Sequence, residues 1–172
     1  MKLTYGSKAP ELVNVLIEVP LDSKVKYEFD KESEMVTVDR FLYFDKGYPA
    51  NYGFIPDTLS GDGDPVDVLV LAPFALAPGV VIEAKPIGML ETEDEKGMDA
   101  KLVAVPTEKA NPEFGKYNDI SELPSEITET IKFFFENYKK NEPGKWVKVA
   151  GWKNKEAALE EIKTGIENAK NN

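Results

Sequence analysis

A short acidic loop, Gly61–Asp67, runs directly into an apolar segment, and this junction restricts the folds and functions open to the chain. The loop carries Asp62, Asp64 and Asp67, and ionised carboxylates so close together repel one another unless positive charge or several donors compensate. The loop has no Lys or Arg, so hard divalent cations, above all Mg²⁺, are the natural counter-charge. The sequence therefore predicts a metal-binding loop that leads into a buried strand.

Two other interpretations of this loop were weighed. Asp and Gly are common in solvated turns between apolar segments, so a turn without a bound metal stays open. A calcium EF-hand needs Gly at the sixth loop position and Glu at the twelfth, and counted from Asp62 these positions hold Asp67 and Pro73. The spacing therefore excludes an EF-hand.

Composition narrows the class of protein further. The 172 residues, of which 42% are hydrophobic, predict a single domain (1–172) with a real core. The formal net charge of −10 argues against nucleic-acid partners and anionic membranes. Neither a signal-peptide core nor a membrane-spanning apolar run is present in the sequence, so we expect a cytoplasmic protein.

The chain has no Cys and no His, and this restricts its chemistry. Disulfides, thiolate nucleophiles, His-ligated zinc and imidazole bases are all excluded. Any catalysis must therefore use carboxylates, Lys, Arg, Tyr and metal-bound water.

Alternation of apolar and polar residues predicts strands at 13–19, 25–30 and 35–41, with a turn at 32–34 that makes the last two a hairpin. We expect these strands to form a curled antiparallel sheet. Alternation can place one set of charged side chains on a single side of it, namely Glu18, Lys26, Glu28 and Arg40.

The rest of the chain reads as further strands followed by helices. The expected elements are a packed aromatic loop at 43–55, buried strands at 66–71 and 80–90, a second acidic loop at 91–101, a strand at 102–105, a helix with Pro124 in its first turn, a strand at 145–149 and a helix starting near Asn154. This order favours a mainly β protein, with a small barrel and helices packed on it.

Several ordered motifs resemble one known family, the soluble family I inorganic pyrophosphatases of the short prokaryotic type. The resemblance covers roughly residues 13–152. The motifs that carry it are Ile17–Pro20, Lys26–Glu28, Val38–Arg40, Tyr48–Gly53, Asp62–Asp67, Asp94–Lys101, Tyr138–Lys139 and Gly144–Trp146.

The resemblance implies a fold, an assembly and a reaction. The fold would be a five-stranded, OB-like closed β-barrel with two flanking α-helices, and the assembly a homohexamer built as a dimer of trimers. The reaction would be hydrolysis of pyrophosphate to two orthophosphates with several Mg²⁺ ions per active site, for which Mn²⁺ or Co²⁺ are possible substitutes. Two Mg²⁺ ions about 3.5–4 Å apart could share one water and generate hydroxide without a histidine.

The resemblance also implies site residues. The metal ligands would be Asp62, Asp67, Asp99, Glu18, Glu28 and Asp94. The catalytic residues would be Asp64 as proton acceptor, with Asp67, Arg40 and Tyr52. Substrate would be bound by Lys26, Arg40, Tyr52, Lys101, Tyr138 and Lys139.

Two functions of other classes remain as alternatives. A binding module for single-stranded nucleic acid would need a basic groove with exposed aromatic residues, which the net charge disfavours. An acidic calcium-buffering protein would bind Ca²⁺ and catalyse no reaction.

Overall fold

In the computed structural model, which describes residues 2–172, the chain is mainly β. Within those residues the strands are β1 Val13–Val19, β2 Val25–Asp30, β3 Met35–Phe41, β4 Asn51–Phe54, β5 Asp67–Val70, β6 Val81–Asp94, β7 Gly97–Pro106 and β8 Val147–Lys153. The helices are α1 Pro112–Gly115, α2 Ser125–Asn137 and α3 Lys155–Lys170, with a 3₁₀ turn at Ile120–Glu122. No helix in this part of the chain has the length and apolarity needed to cross a membrane.

Five strands pair into a closed ring. The order is β1-β4-β5-β7-β6, and β6 pairs again with β1, while β8 adds to β6 outside the ring. β5 and β7 are parallel, and the other pairs of the ring are antiparallel. The expected mainly β class with few helices is confirmed, and the assignment of the ring to an OB-like barrel stays a prediction.

The expectation of one continuous antiparallel sheet near the N-terminus is wrong. β2 and β3 form a separate two-stranded sheet, because β1 uses its edges to pair with β4 and β6. The hairpin itself is confirmed, with a bulge where β3 has one extra residue, Asp39.

The core consists of two clusters of buried residues, one on each face of the ring strands. On β7, Leu102 and Ala104 join a cluster with Ile162 of α3, whereas Val103 and Val105 belong to a cluster that includes residues of α2. Successive strand residues point to opposite faces, so each helix covers a different face. Val68–Val70 of β5 and Leu102–Val105 of β7 are continuous apolar runs because both faces of these strands are buried.

Several element boundaries differ from the sequence prediction. The packed loop at 43–55 ends in strand β4, whose four residues are all buried and therefore show no alternation. The prediction of an acidic loop over 91–101 is wrong in its extent, because β6 continues to Asp94 and β7 starts at Gly97. Cross-strand pairing with β7 and β8 keeps these charged residues extended.

The end of the chain was predicted more closely. Pro124 is the N-cap of α2 rather than part of its first turn, and β8 begins two residues later than expected, at Val147. The second helix does start after Asn154, whose side chain accepts a hydrogen bond from the Ala157 amide. α1 and the 3₁₀ turn were not predicted.

The packing of α2 predicts a difference between two adjacent phenylalanines. The Phe134 ring is 1% exposed and lies 4.8 Å from the Tyr48 ring, centre to centre, whereas Phe133 is 48% exposed. We expect Phe134→Ala to lower the free energy of unfolding by about 3–5 kcal/mol because it opens a cavity. Phe133→Ala should cost less than about 1 kcal/mol. Urea unfolding measures both, and equal losses would contradict this description of the core.

Candidate active site

A cavity of about 590 Å³ lies where the β2–β3 hairpin faces one end of the ring. The structure brings every candidate residue named from the sequence to its walls. These are Glu18, Lys26, Glu28, Arg40, Tyr52, Asp62, Asp64, Asp67, Asp94, Asp99, Lys101, Tyr138 and Lys139. Residues that lie up to 121 positions apart in sequence thus line one cavity.

Lys101 is the most enclosed charge in this cavity. Its Nζ lies 2.7 Å from Asp99 Oδ2 and 2.8 Å from Asp67 Oδ2, and it donates a 2.9 Å hydrogen bond to the Tyr52 hydroxyl. The parallel pairing of β5 and β7 places Asp67 directly opposite Lys101. Burial alone would lower the pKa of Lys101, but Asp67, Tyr52 and Asp99 raise it well above its usual value. The ammonium is therefore a permanent positive charge.

Three of the cavity carboxyls have raised pKa values. Burial raises the pKa of Glu18 to about 7, although the Phe29 amide donates to its Oε2 at 2.7 Å. Burial raises the pKa of Asp99 to about 6 despite the neighbouring Lys101, and it also raises the pKa of Asp62. The side chains of the protein therefore neutralise these carboxylates only in part.

The acidic loop is folded back on itself. Ser60 donates its amide hydrogen to the Asp64 carbonyl at 2.7 Å, and the Asp64 amide donates to Asp62 Oδ1 at 3.0 Å. Gly63 has φ of +88°, a conformation that glycine adopts without strain. The Asp64 side chain stays 59% exposed, and its nearest cation is Lys96, at 3.9 Å. Asp64 is thus the most exposed carboxylate of this loop.

On the opposite wall, the hairpin presents two cations. Lys26 and Arg40 are paired across the strands, and the bulged Asp39 contacts both, at 3.4 Å and 2.6 Å. Arg40 Nε also donates to Glu142 Oε1 at 2.6 Å. These two carboxylates fix the plane of the guanidinium while further N–H groups remain available.

Glu142 is a residue that sequence reasoning missed. It is 7% exposed, and its Oε2 makes no hydrogen bond within residues 2–172. In sequence it is one glutamate in a polar turn between α2 and β8, the usual setting of a solvated residue, and no local pattern reveals its contact with Arg40.

The C-terminal end of α2 completes the wall. Lys139 Nζ lies 3.3 Å from Asp94 Oδ2 and 3.7 Å from Glu95 Oε1. Burial would raise the pKa of Asp94, but the Lys96 amide and the Lys139 ammonium lower it. Burial raises the pKa of Tyr52 and Tyr138, so both hydroxyls remain protonated hydrogen-bond donors.

The donor set fits a hard divalent cation. The cavity offers carboxylate and hydroxyl oxygens without His or Cys, the chemistry that suits Mg²⁺ and Mn²⁺. Within residues 2–172, however, no three acidic side chains already converge on a point where a metal could bind. Lys101 and Lys139 hold Asp67, Asp99 and Asp94 in ion pairs, so side-chain rearrangement would accompany binding.

Comparison with known proteins identifies relatives over nearly the whole chain. The inorganic pyrophosphatase family model matches residues 15–170, which include every candidate site residue. An inorganic pyrophosphatase of Saccharolobus solfataricus is 54% identical over 170 residues, covering 99% of this chain and 99% of its own.

Solved structures agree in fold. An inorganic phosphatase from Anaplasma phagocytophilum matches with a TM-score of 0.96 at 50% identity, covering 98% of this chain and 99% of its own. The inorganic pyrophosphatase from Thermus thermophilus matches with a TM-score of 0.93 at 46% identity, covering 98% and 97%.

The raised pKa of Glu18 predicts a pH-dependent stability. An unfolded Glu titrates near 4.5 and the folded group near 7, so the cost of ionising it grows from about pH 4.5 to pH 7 and is complete above that range. With chelator present, Glu18→Gln should therefore raise the melting temperature at pH 8. The rise should be about 2–4 °C for each kcal/mol by which the substitution increases the free energy of unfolding, and smaller at pH 5. The exposed Glu32→Gln is the control. An equal effect of Glu18→Gln at both pH values would contradict the prediction.

Proposed function

Because this chain belongs to the inorganic pyrophosphatase family, we propose that it hydrolyses pyrophosphate to two orthophosphates in the cavity described above, with Mg²⁺ as the working cation. The observation that carries this proposal is the composition of one cavity, in which fixed cations and incompletely neutralised carboxylates face each other. Cations suit a polyanionic substrate, and spare carboxylates suit the metal ions that accompany it.

In this proposal the basic side chains bind the two phosphoryl groups. Arg40 can present two parallel N–H groups to a phosphate, whereas the lysines act as point charges. Tyr52 and Tyr138 remain protonated and donate hydrogen bonds without adding charge. The full substrate-binding set is Lys26, Arg40, Tyr52, Lys101, Tyr138 and Lys139.

The acidic side chains would hold the cations. We assign this role to Asp62, Asp67 and Asp99, supplemented by Glu18, Glu28 and Asp94. When bound, Mg²⁺ would neutralise phosphate charge and make coordinated water more acidic. Mn²⁺ or Co²⁺ would substitute, since the oxygen donors also accept them.

Asp64 is our candidate for the proton acceptor. Its exposed carboxylate needs only a modest proton affinity to take a proton from an attacking water that is already acidified. Charge that develops on the transferred phosphoryl group is then stabilised by the fixed cations, among them Arg40 and Lys26.

The assembly and location of the protein are proposals of the same kind. We infer from the family resemblance one domain spanning 1–172, a homohexamer built as a dimer of trimers, and a cytoplasmic location. Sedimentation of the purified chain tests the assembly.

We expect the protein to release phosphate from pyrophosphate with Mg²⁺ and to stop when chelator is added. Asp67→Asn should lose nearly all of this activity, because it removes a negative charge from the proposed metal site and from the ion pair with Lys101. Circular dichroism should show that the variant remains folded. Asp45→Asn, the same change at an exposed position, is the matched control. Wild-type turnover in Asp67→Asn would count decisively against the proposed site.

Arg40→Lys tests how phosphate is held. Loss of two-point binding removes a charge-assisted hydrogen bond, which is worth about 1.5–3 kcal/mol. We therefore expect the KM for pyrophosphate to rise about tenfold or more, measured in the same assay at saturating Mg²⁺. An unchanged KM would show that Arg40 does not bind the substrate.

A further inference from the structure

We propose that Thr58, Gly165 and Asn168 are positioning residues that hold the acidic loop against α3 and so set its affinity for divalent cations. This inference rests on the proposed function, because that function gives the loop its metal. None of the three residues carries a charge, and none lines the active-site cavity.

The first observation concerns Ile55, Thr58 and Val66, which hydrogen-bond to one another at the base of the loop and which we call the neck. The Thr58 hydroxyl donates to the Ile55 carbonyl at 2.6 Å and accepts from the Val66 amide at 3.0 Å. The Ile55 amide also donates to the Val66 carbonyl at 3.0 Å. Thr58 is only 4% exposed, so water cannot easily replace these bonds. The hydroxyl thus ties the two ends of the segment that carries Asp62 and Asp64.

The second observation is that α3 provides the hydrogen-bond partners for the backbone of Leu59, the residue after Thr58. The Leu59 amide donates to the Gly165 carbonyl at 2.9 Å, and Asn168 Nδ2 donates to the Leu59 carbonyl at 3.2 Å. Both polar backbone groups of Leu59 therefore bond to α3. A surface loop would ordinarily bond to water at this point, so these contacts fix the position of the loop relative to the core.

The third observation explains a glycine inside a helix. Glycine in a helix interior is destabilising relative to alanine, so its presence there needs a structural reason. A Cβ on Gly165 would lie 2.7 Å from Val66 Cγ2, closer than packed atoms allow, and 3.4 Å from Thr58 Cβ. The absent side chain therefore lets α3 approach the neck, and a larger residue would require Val66 to move.

These contacts bear directly on the carboxylates. Asp67 follows Val66 at one end of the neck, and Asp62 lies four residues beyond Thr58 at the other. A loop that is already positioned loses less conformational entropy when its carboxylates converge on one cation. Outer residues that orient metal ligands typically change metal affinity 10–100-fold when they are mutated.

The test compares variants that keep or lose the neck contacts. Thr58→Val has nearly the same shape but no hydroxyl, Thr58→Ser keeps the hydroxyl, and Asn168→Ala removes the contact with Leu59. Titration calorimetry with MgCl₂ should show affinity weakened about tenfold or more in Thr58→Val and Asn168→Ala, and nearly unchanged in Thr58→Ser. In chelator, the amides of Gly63 and Asp64 should exchange hydrogen faster in the two weakened variants.

A stability control separates positioning from general destabilisation. Ile131→Val, in the buried cluster that includes α2, should lower the melting temperature by about 2–4 °C and bind Mg²⁺ like the wild type. Wild-type affinity in both Thr58→Val and Asn168→Ala, or an equal loss in Ile131→Val, would overturn the inference. A wild-type protein that neither binds Mg²⁺ nor releases phosphate would instead overturn the proposed function. The exchange rates would then still decide whether Thr58 and Asn168 hold the loop.

Discussion

The buried ammonium of Lys101 is the constraint on which the rest of the site depends. An enclosed charge is tolerated only when it is paired and hydrogen-bonded, and Asp67, Asp99 and Tyr52 supply those partners. Asp99 lies on the same strand, but Asp67 reaches Lys101 only because β5 and β7 are parallel and in this register. The pairing that closes the ring therefore also assembles the centre of the cavity, so fold and site cannot vary independently.

The two helices divide the support of the site between them. α2 packs on one face of the ring through Phe134 and carries Tyr138 and Lys139 at its C-terminal end. α3 packs on the other face, against the neck of the acidic loop. The cluster around α2 supplies Tyr52 and Tyr138 to the cavity wall, whereas the cluster around α3 includes Val66 at the neck of the acidic loop. Two different parts of the core thus position side chains of one cavity.

Local patterns made some of this structure predictable from sequence. Alternation identified β1 and β2, and the capping residue Asn154 identified the start of α3, since both signals act over a few residues. The ordered motifs also named residues that the fold brings to one cavity. The parallel pairing of β5 with β7 was not predictable in this way, because it joins segments that are each equally compatible with other partners.

Some single residues were also not predictable from sequence, because their environment depends on contacts with distant parts of the chain. Glu142 has no local pattern, and its burial follows only from the approach of Arg40 on a separate sheet. Gly165 looks like a weak point in a helix until Val66 is seen to occupy the space of its Cβ. The acidic run at 91–101 resembles a solvated loop because it is rich in charged residues. It folds instead as a hairpin, and the β8 strand that also pairs with Glu91–Asp94 is far away in sequence.

The charges that line the cavity indicate what the proposed binding of a polyanion would require. Asp94, beside Lys139, has a lowered pKa and is already neutralised within the protein. Burial is the main reason that the pKa values of Glu18 and Asp99 are raised. The nine carboxylates that line the cavity also outnumber its seven lysine and arginine side chains, so the cavity carries an excess of negative charge. A phosphorylated ligand adds to that excess, and both ligand and carboxylates therefore favour the same additional partner, a small divalent cation with oxygen ligands. Binding of the anion and binding of the cation should consequently strengthen each other, which is the coupling that such a charge pattern requires.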